Sequence, residues 1–297
     1  MSDAMFNPDW TICSPTRDKL GESPVWSADE QALYWIDFYG PTIHCLIEDG
    51  EVQSWTVPHV TQIGSIVMAR GGLLAATDKG LYMVQPETGK VDLYGDPNNG
   101  RPGIGYNDAK TDRHGRYWVG TYDTAETAPR GVLYCLDGAG QTHVGDTGYV
   151  VCNGPAFSPE GTTLYFSNSI GRRIMAYDLS AASSTLHNRR LFFELPAHEG
   201  MPDGLTVDAE GNVWVAHYGG GLLSRLSPTG RRIARYAVPA LNVTSLCFGG
   251  PDLDTLFVTT GESTINDRSG CLLSFKPGNK GLLEKFALTG PGLLAHD

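Results

Sequence analysis

The sequence predicts an all-β chain folded as a six-bladed β-propeller with a central metal-binding channel, on three observations. The chain carries 37 Gly and 18 Pro in 297 residues, and neither residue suits helix interiors. Short runs rich in Val, Tyr, Trp and Phe recur between turn signals, and no segment reads as a capped amphipathic helix. Those runs also repeat at the period of one propeller blade.

The repeat has one grammar: a polar or small residue, an apolar run, a turn, then a second run rich in aromatics. It begins with ESPVWSADEQALYWIDF from Glu22, then GSIVMARGGLLAATD from Gly64 and NDAKTDRHGRYWVGTYD from Asn107. It continues with NGPAFSPEGTTLYFSNS from Asn153, DGLTVDAEGNVWVAHYG from Asp203 and TSLCFGGPDLDTLFVTTG from Thr244. Successive starts lie 42, 43, 46, 50 and 41 residues apart, the spacing of four-stranded blades. Six such blades fill residues 1–297 as one domain. No blade buries both faces alone, so they pack radially about a channel. The segment Thr11–Pro15 precedes the first repeat and is expected to supply the outer strand of the last blade, closing the ring.

Composition narrows the function. A net charge of −11 argues against a nucleic acid or an anionic membrane as partner. No apolar run reaches the length of a membrane span, and the N-terminus lacks the basic and apolar regions of a secretory signal. The six cysteines are scattered without a C-x-x-C pair, as small buried hydrophobes are. A cytoplasmic protein is the expectation. No G-x-S-x-G elbow is present, and NNGRPGIG from Asn98 lacks the Lys-Ser/Thr ending of a phosphate loop; it reads as a loop at the channel rim.

Register carries the chemistry. Asn153-Gly154 and Asp203-Gly204 resemble hairpin turns in isolation. A true turn follows each within a few residues, however, so the dipeptides are placed at the start of the innermost strands. The six axial residues are then Glu22, Gly64, Asn107, Asn153, Asp203 and Thr244. Four of them carry side-chain carbonyl or carboxylate oxygens. Carboxylates brought together in a buried site repel unless protonated or bridged by a cation. One divalent ion resolves this, and oxygen donors suit Ca²⁺, Mg²⁺ or Mn²⁺, with Zn²⁺ and Fe²⁺ also compatible. A purely structural ion or a hydrated channel is the alternative that register leaves open.

The runs LGESPVW from Leu20, YNDAKTDRHGRYWVGT from Tyr106, NGPAFSPEGTTLYFSNS from Asn153 and PDGLTVDAEGNVWVAHYGGG from Pro202 also resemble the SMP-30/gluconolactonase/luciferin-regenerating family. The resemblance covers about residues 18 to 276, with the four motifs in order. It implies a six-bladed propeller whose metal is held by Glu22, Asn153 and Asp203, with Asn107 touching substrate. It further implies hydrolysis of a sugar-acid lactone to the open aldonate, the metal polarising the lactone carbonyl and Asp203 serving as the catalytic carboxylate. Gly105-Tyr106 stands where the family has Arg-Phe, so Arg101 on the neighbouring loop is the candidate to bind substrate hydroxyls instead. Alternative functions are a non-enzymatic calcium-binding or regulatory propeller, and a promiscuous aryl-ester or organophosphate hydrolase.

The second strand of each blade returns to the metal side, placing Tyr39, Tyr122, Asp123, Asn168, His217 and Tyr218 at the rim. Tyr122 and His217 are the substrate-binding candidates among them. Asp123 reads better as a turn residue. Trp35, Trp118 and Trp214, at matching repeat positions, are assigned to packing between blades.

Overall fold

The computed structural model describes residues 3–14, 16–47, 50–265 and 268–290. Six antiparallel sheets form a closed ring. Their innermost strands are Gly21–Ser27, Ile63–Ala69, Ile104–Thr111, Cys152–Phe157, Met201–Val207 and Asn242–Gly249. Each packs against the next around the axis, and the sixth packs against the first. These strands are almost wholly buried, whereas outer strands such as Leu186–Glu194 are largely exposed. Apolar burial between neighbouring sheets is therefore what holds the blades in register.

The ring closes as expected. Thr11–Ile12 pairs antiparallel with Leu273–Phe275, the third strand of the last blade. Pro15 of that segment lies outside the described residues. A second N-terminal strand, Ala4–Phe6, adds in parallel to Arg232–Ala237 as a fifth strand of blade five. The repeat pattern did not foresee it, because it belongs to no repeat. Its anchors are an ion pair from Asp3 to Arg235 at 2.9 Å and the stacking of Phe6 on Tyr236 at 5.2 Å.

Residues 276–290 make a second unforeseen element. They cross the face where the innermost strands end. Along the way Lys280 O accepts from Ala209 N and Gly281 N donates to Leu253 O, both at 2.8 Å. Ala287 N and Leu288 N then donate to Met68 O and Gly115 O. Glu284 meets Lys110 of blade three at 3.3 Å. The strap thereby spans blades five, six, two and three at the end of the channel away from Glu22, Asn153 and Asp203.

Alternate blades share a buried clamp. The indoles of Trp35, Trp118 and Trp214 are fully buried and donate to Asp18, Asp112 and Asp208 at 2.8–3.0 Å. Asp112 and Asp208 also accept two loop amides each, so one carboxylate fixes both the turn and the tryptophan. In blade one, His44 bridges Asp18 (3.1 Å) and Ser54 (2.7 Å), tying the third and fourth strands to the same aspartate. Asp112 further pairs with the buried Arg116 at 2.6 Å. Asp112→Ala would strand that guanidinium and the indole N–H, so a loss of about 3–5 kcal/mol is expected, read from urea unfolding.

Among the described residues, no helix is long and apolar enough to cross a membrane; a single 3-10 turn, Ala197–Glu199, interrupts the strands. Among the described residues the cysteines form no disulfide, and five of the six are buried, as their apolar settings led one to expect.

Candidate metal centre and substrate cavity

Every innermost strand breaks its pairing register at the position assigned to the axis. The breaks fall between Glu22 and Val25, Ile63 and Ser65, Tyr106 and Ala109, Asn153 and Ala156, Pro202 and Leu205, and Val243 and Ser245. A bulge bends a strand and re-aims its residues, and these six turn the six axial residues, five of which carry side chains, toward a common axis. Asn153-Gly154 and Asp203-Gly204 accordingly lie inside strands rather than in hairpin turns.

The glycines have a local reason. Gly154 has φ +44°, and a Cβ there would stand 2.6 Å from Leu205 N and 2.7 Å from Asp203 O. A Cβ on Gly204 would stand 2.3 Å from Ser245 Oγ. Neighbouring blades approach too closely at the axis for a side chain at either place. Hydrogen bonds then lock blade to blade: Ser65 Oγ donates to Asn107 O (2.7 Å), Ser167 Oγ to Asp203 O (2.8 Å) and Thr244 Oγ1 to Gly21 O (2.5 Å).

Glu22, Asn107, Asn153 and Asp203 line one cavity of about 210 Å³ at the mouth of the channel. Asn107 Nδ2 donates to Cys152 O (2.8 Å) and to Asn153 Oδ1 (2.6 Å), while Asn153 Nδ2 donates to Ser169 Oγ (3.0 Å). The Asn107 nitrogen is thus engaged, and Asn153 is held from both ends, its Oδ1 accepting from Asn107 and its Nδ2 donating to Ser169 Oγ.

Burial pushes the Glu22 carboxyl well above the usual carboxylate range, with Asp203 and Asp108 adding to the effect. Asp203 is pushed up in the same sense, first by burial and then by Asp108. Asp108 is raised by burial too, against the pull of Lys110. Its carboxylate accepts Gly154 N–H at 2.9 Å and Ala109 N–H at 2.8 Å, so it braces the backbone beside Asn153. The sequence reading missed Asp108. The signal was its place in the bulge directly after Asn107, although its side chain lies outside the cavity wall.

No cationic side chain pairs with Glu22 or Asp203 among the described residues. Two uncompensated buried carboxylates beside amide oxygens make a hard donor set that fits one divalent cation. Among the described residues, no group of three His, Cys, Asp and Glu side chains stands at metal-holding spacing; this set relies on Asn instead.

Of the rim candidates, Tyr39, Tyr122 and Tyr218 line the cavity, joined by Lys19, Phe38 and Glu126. Phe38 meets the rings of Tyr39 and Tyr122 edge-on, at 4.9 and 6.2 Å. Three other candidates face elsewhere. His217 is fully buried, with Nδ1 bonded to Glu199 O at 2.9 Å; burial lowers it to about 4, and its ring does not reach the cavity. Asn168 caps its own turn through Gly171 N–H. Asp123 accepts Thr127 N–H and Ala128 N–H and pairs with Arg130, the turn role assigned to it. That turn carries Glu126 over the cavity, a residue no repeat position marked.

Arg101 also stays out. Its guanidinium donates to Arg130 O at 3.3 Å on an exposed loop, and the loop 98–103 contributes nothing to the cavity wall. The cause is Tyr106, whose hydroxyl donates to Asp96 Oδ1 (2.7 Å) and accepts Asn98 N–H (2.8 Å), pinning the loop away from the axis.

Residues 20–262 match the SMP-30/Gluconolactonase/LRE-like region. A pentonolactonase of Haloferax volcanii is 33% identical over 274 residues, covering 86% of this chain and 90% of the relative. A 6-deoxy-6-sulfogluconolactonase of Pseudomonas putida is 30% identical over 275 residues, covering 89% and 94%. The solved structure of regucalcin from Agrobacterium tumefaciens, described as a calcium-binding protein, superimposes with a TM-score of 0.89 at 26% identity, over 96% of this chain and 99% of that one. With its propeller, its axial bulges and this extent of similarity, the chain belongs to the SMP-30/gluconolactonase/LRE-like family.

Proposed function

We propose that the protein is a metal-dependent lactonase that opens a sugar-acid lactone to the aldonate. The observation that carries this reading is the pairing of buried Glu22 and Asp203 with Asn107 and Asn153 in one solvent-reachable cavity. Relatives named for pentonolactone and sulfogluconolactone hydrolysis support the substrate class.

Glu22, Asn153 and Asp203 would hold the ion, which supplies Lewis acidity toward the lactone carbonyl when bound. Asn107, its nitrogen already engaged by Cys152 O and Asn153 Oδ1, orients a substrate hydroxyl through its oxygen. The reaction adds water to the carbonyl carbon and breaks the ring C–O bond. The Asp203 carboxylate takes the proton that water loses and returns it to the departing ring oxygen. Tyr39, Tyr122 and Tyr218 stay protonated at neutral pH, because burial raises all three phenols, Tyr122 to about 12. Tyr39 and Tyr218 therefore offer hydroxyl donors, while Tyr122, whose O–H donates to Gln62 Oε1, offers a flat apolar wall.

The regucalcin likeness favours one second reading, a calcium-binding protein without turnover. A panel of aldonolactones followed by acid release, with and without chelator, separates the two. Chelator-sensitive opening of at least one aldonolactone is expected. Tight calcium binding with no lactone opened would overturn the enzyme reading, and faster phosphotriester than lactone turnover would move the substrate class.

A further inference from the structure

Gly105 lies in the innermost strand of blade three, two residues before Asn107, directly beneath a tyrosine ring. A Cβ placed on it would stand 2.4 Å from Tyr122 Cε1 and 3.0 Å from Cζ. Position 105 pairs with Tyr122 across the sheet, so the ring has folded over its partner and taken the space a side chain there would fill. Its hydroxyl is held by Gln62 Oε1 at 3.2 Å and its ring by Phe38. The ring lines the cavity.

The charges around it are lopsided. Among the described residues, the cavity wall carries the carboxylates of Glu22, Glu126 and Asp203 and one cation, the exposed Lys19. Arginines near the mouth are engaged elsewhere: Arg130 pairs with Asp123 and donates to Gly103 O, Arg101 donates to Arg130 O, and Arg172 donates to Gly200 O. A divalent ion would balance Glu22 and Asp203, which leaves Glu126 and Lys19 as one charge of each sign, so the described lining residues offer an anionic substituent no net positive charge. The C–H face of a sugar ring, by contrast, finds the flat wall of Tyr122, Phe38 and Tyr39.

We infer that Tyr122, seated over Gly105, is the specificity-determining wall of this cavity and that the substrate is an uncharged lactone, to the exclusion of lactones bearing a sulfonate, phosphate or carboxylate. The inference rests on the lactonase reading above. It separates this chain from the relative named for a sulfonated lactone. An anionic group entering such a cavity would lose its water against a lining with no net positive charge.

The test compares kcat/KM, on metal-loaded protein in a pH-stat, for D-glucono-1,5-lactone and its 6-sulfo and 6-phospho counterparts. The neutral lactone is expected to be favoured by about 100-fold or more. Tyr122→Ala should lower kcat/KM for the neutral lactone about tenfold, chiefly through KM. The double variant Gly105→Arg/Tyr122→Ala should shift the ratio toward the anionic lactones by at least about tenfold. Should Tyr122→Ala fail to melt cooperatively, Tyr122→Leu carries the same comparison with the core better filled. Anionic lactones opened as fast as neutral ones, or a Tyr122 variant with unchanged neutral KM and unchanged ratio, would overturn the inference. Failure to open any lactone of the aldonolactone panel, with metal bound, would instead sink the lactonase reading on which it stands.

Discussion

Asp203→Ala is expected to lose both the bound divalent ion and lactone turnover. The carboxylate stands at the axial bulge of blade five, buried, with Glu22 as its charged neighbour across the channel. Replacing an outer partner of a metal ligand costs roughly 10–100-fold in affinity. Removing a ligand that also supplies half of the compensating negative charge should cost at least about 100-fold. Turnover should fall further, because the same oxygens hold the reacting proton. Asp203→Asn keeps the shape and one oxygen donor, so it should retain more metal than Asp203→Ala while still losing proton transfer. Metal content by elemental analysis and acid release by pH-stat read the two effects separately. Full turnover in Asp203→Ala would remove the residue from the mechanism. The fold should survive, since Asp203 O, not its side chain, receives the Ser167 bond that joins blades four and five.

The second large effect is a stability curve that depends on metal and pH together. Glu22 and Asp203 both have folded-state carboxyls pushed well above the usual range by burial. In the metal-free protein the folded state therefore holds protons that the unfolded chain, with carboxyls near 4, has already released. Folded protein binding more protons than unfolded means stability falls as pH rises. This contribution is fully present below about pH 4 and is lost as pH climbs through the raised values. A divalent ion reverses the sense by preferring the ionised pair. In chelator, the melting temperature should drop between about pH 5 and 8. Saturating metal should restore it, by on the order of 5 °C at the upper end and less at the lower end. Differential scanning fluorimetry across that range checks it. A metal-induced shift that grows as pH falls would contradict the assignment of these carboxylates as ligands.

The sheet pattern was readable because each blade repeats the same alternation and turn chemistry, so six weak signals reinforced one another. Trp35, Trp118 and Trp214 fell at matching positions for a physical reason, the buried aspartate each one bonds. The axial side chains were readable for the same cause: a common register sends equivalent positions to a common axis. What escaped lay outside the repeat. Ala4–Phe6 joins blade five by three parallel pairings that no period marks. The strap at 276–290 is held by backbone hydrogen bonds and the Lys110–Glu284 pair, neither of which has a local sequence signature.

The rim was read least well. A second strand returning to the metal side correctly brought Tyr39, Tyr122 and Tyr218 to the cavity. Its alternation also buried His217 between strands, where the ring meets Glu199 O rather than solvent. Arg101 failed as a stand-in because Tyr106 points out of the cavity and holds the loop by two hydrogen bonds. The space a guanidinium would have entered is filled by Tyr122, a contact between residues 17 positions apart that only the folded sheet reveals.

The proposed lactonase activity depends on one divalent ion held by Glu22, Asn153 and Asp203. Its most direct test is a titration of chelator-stripped protein with Ca²⁺, Mg²⁺, Mn²⁺ and Zn²⁺, following acid release from an aldonolactone at each addition. Turnover should be absent at the start and rise to a plateau at one equivalent per chain for at least one of the ions. Undiminished turnover in the stripped protein, or metal binding at one equivalent with no turnover on any aldonolactone, would contradict it.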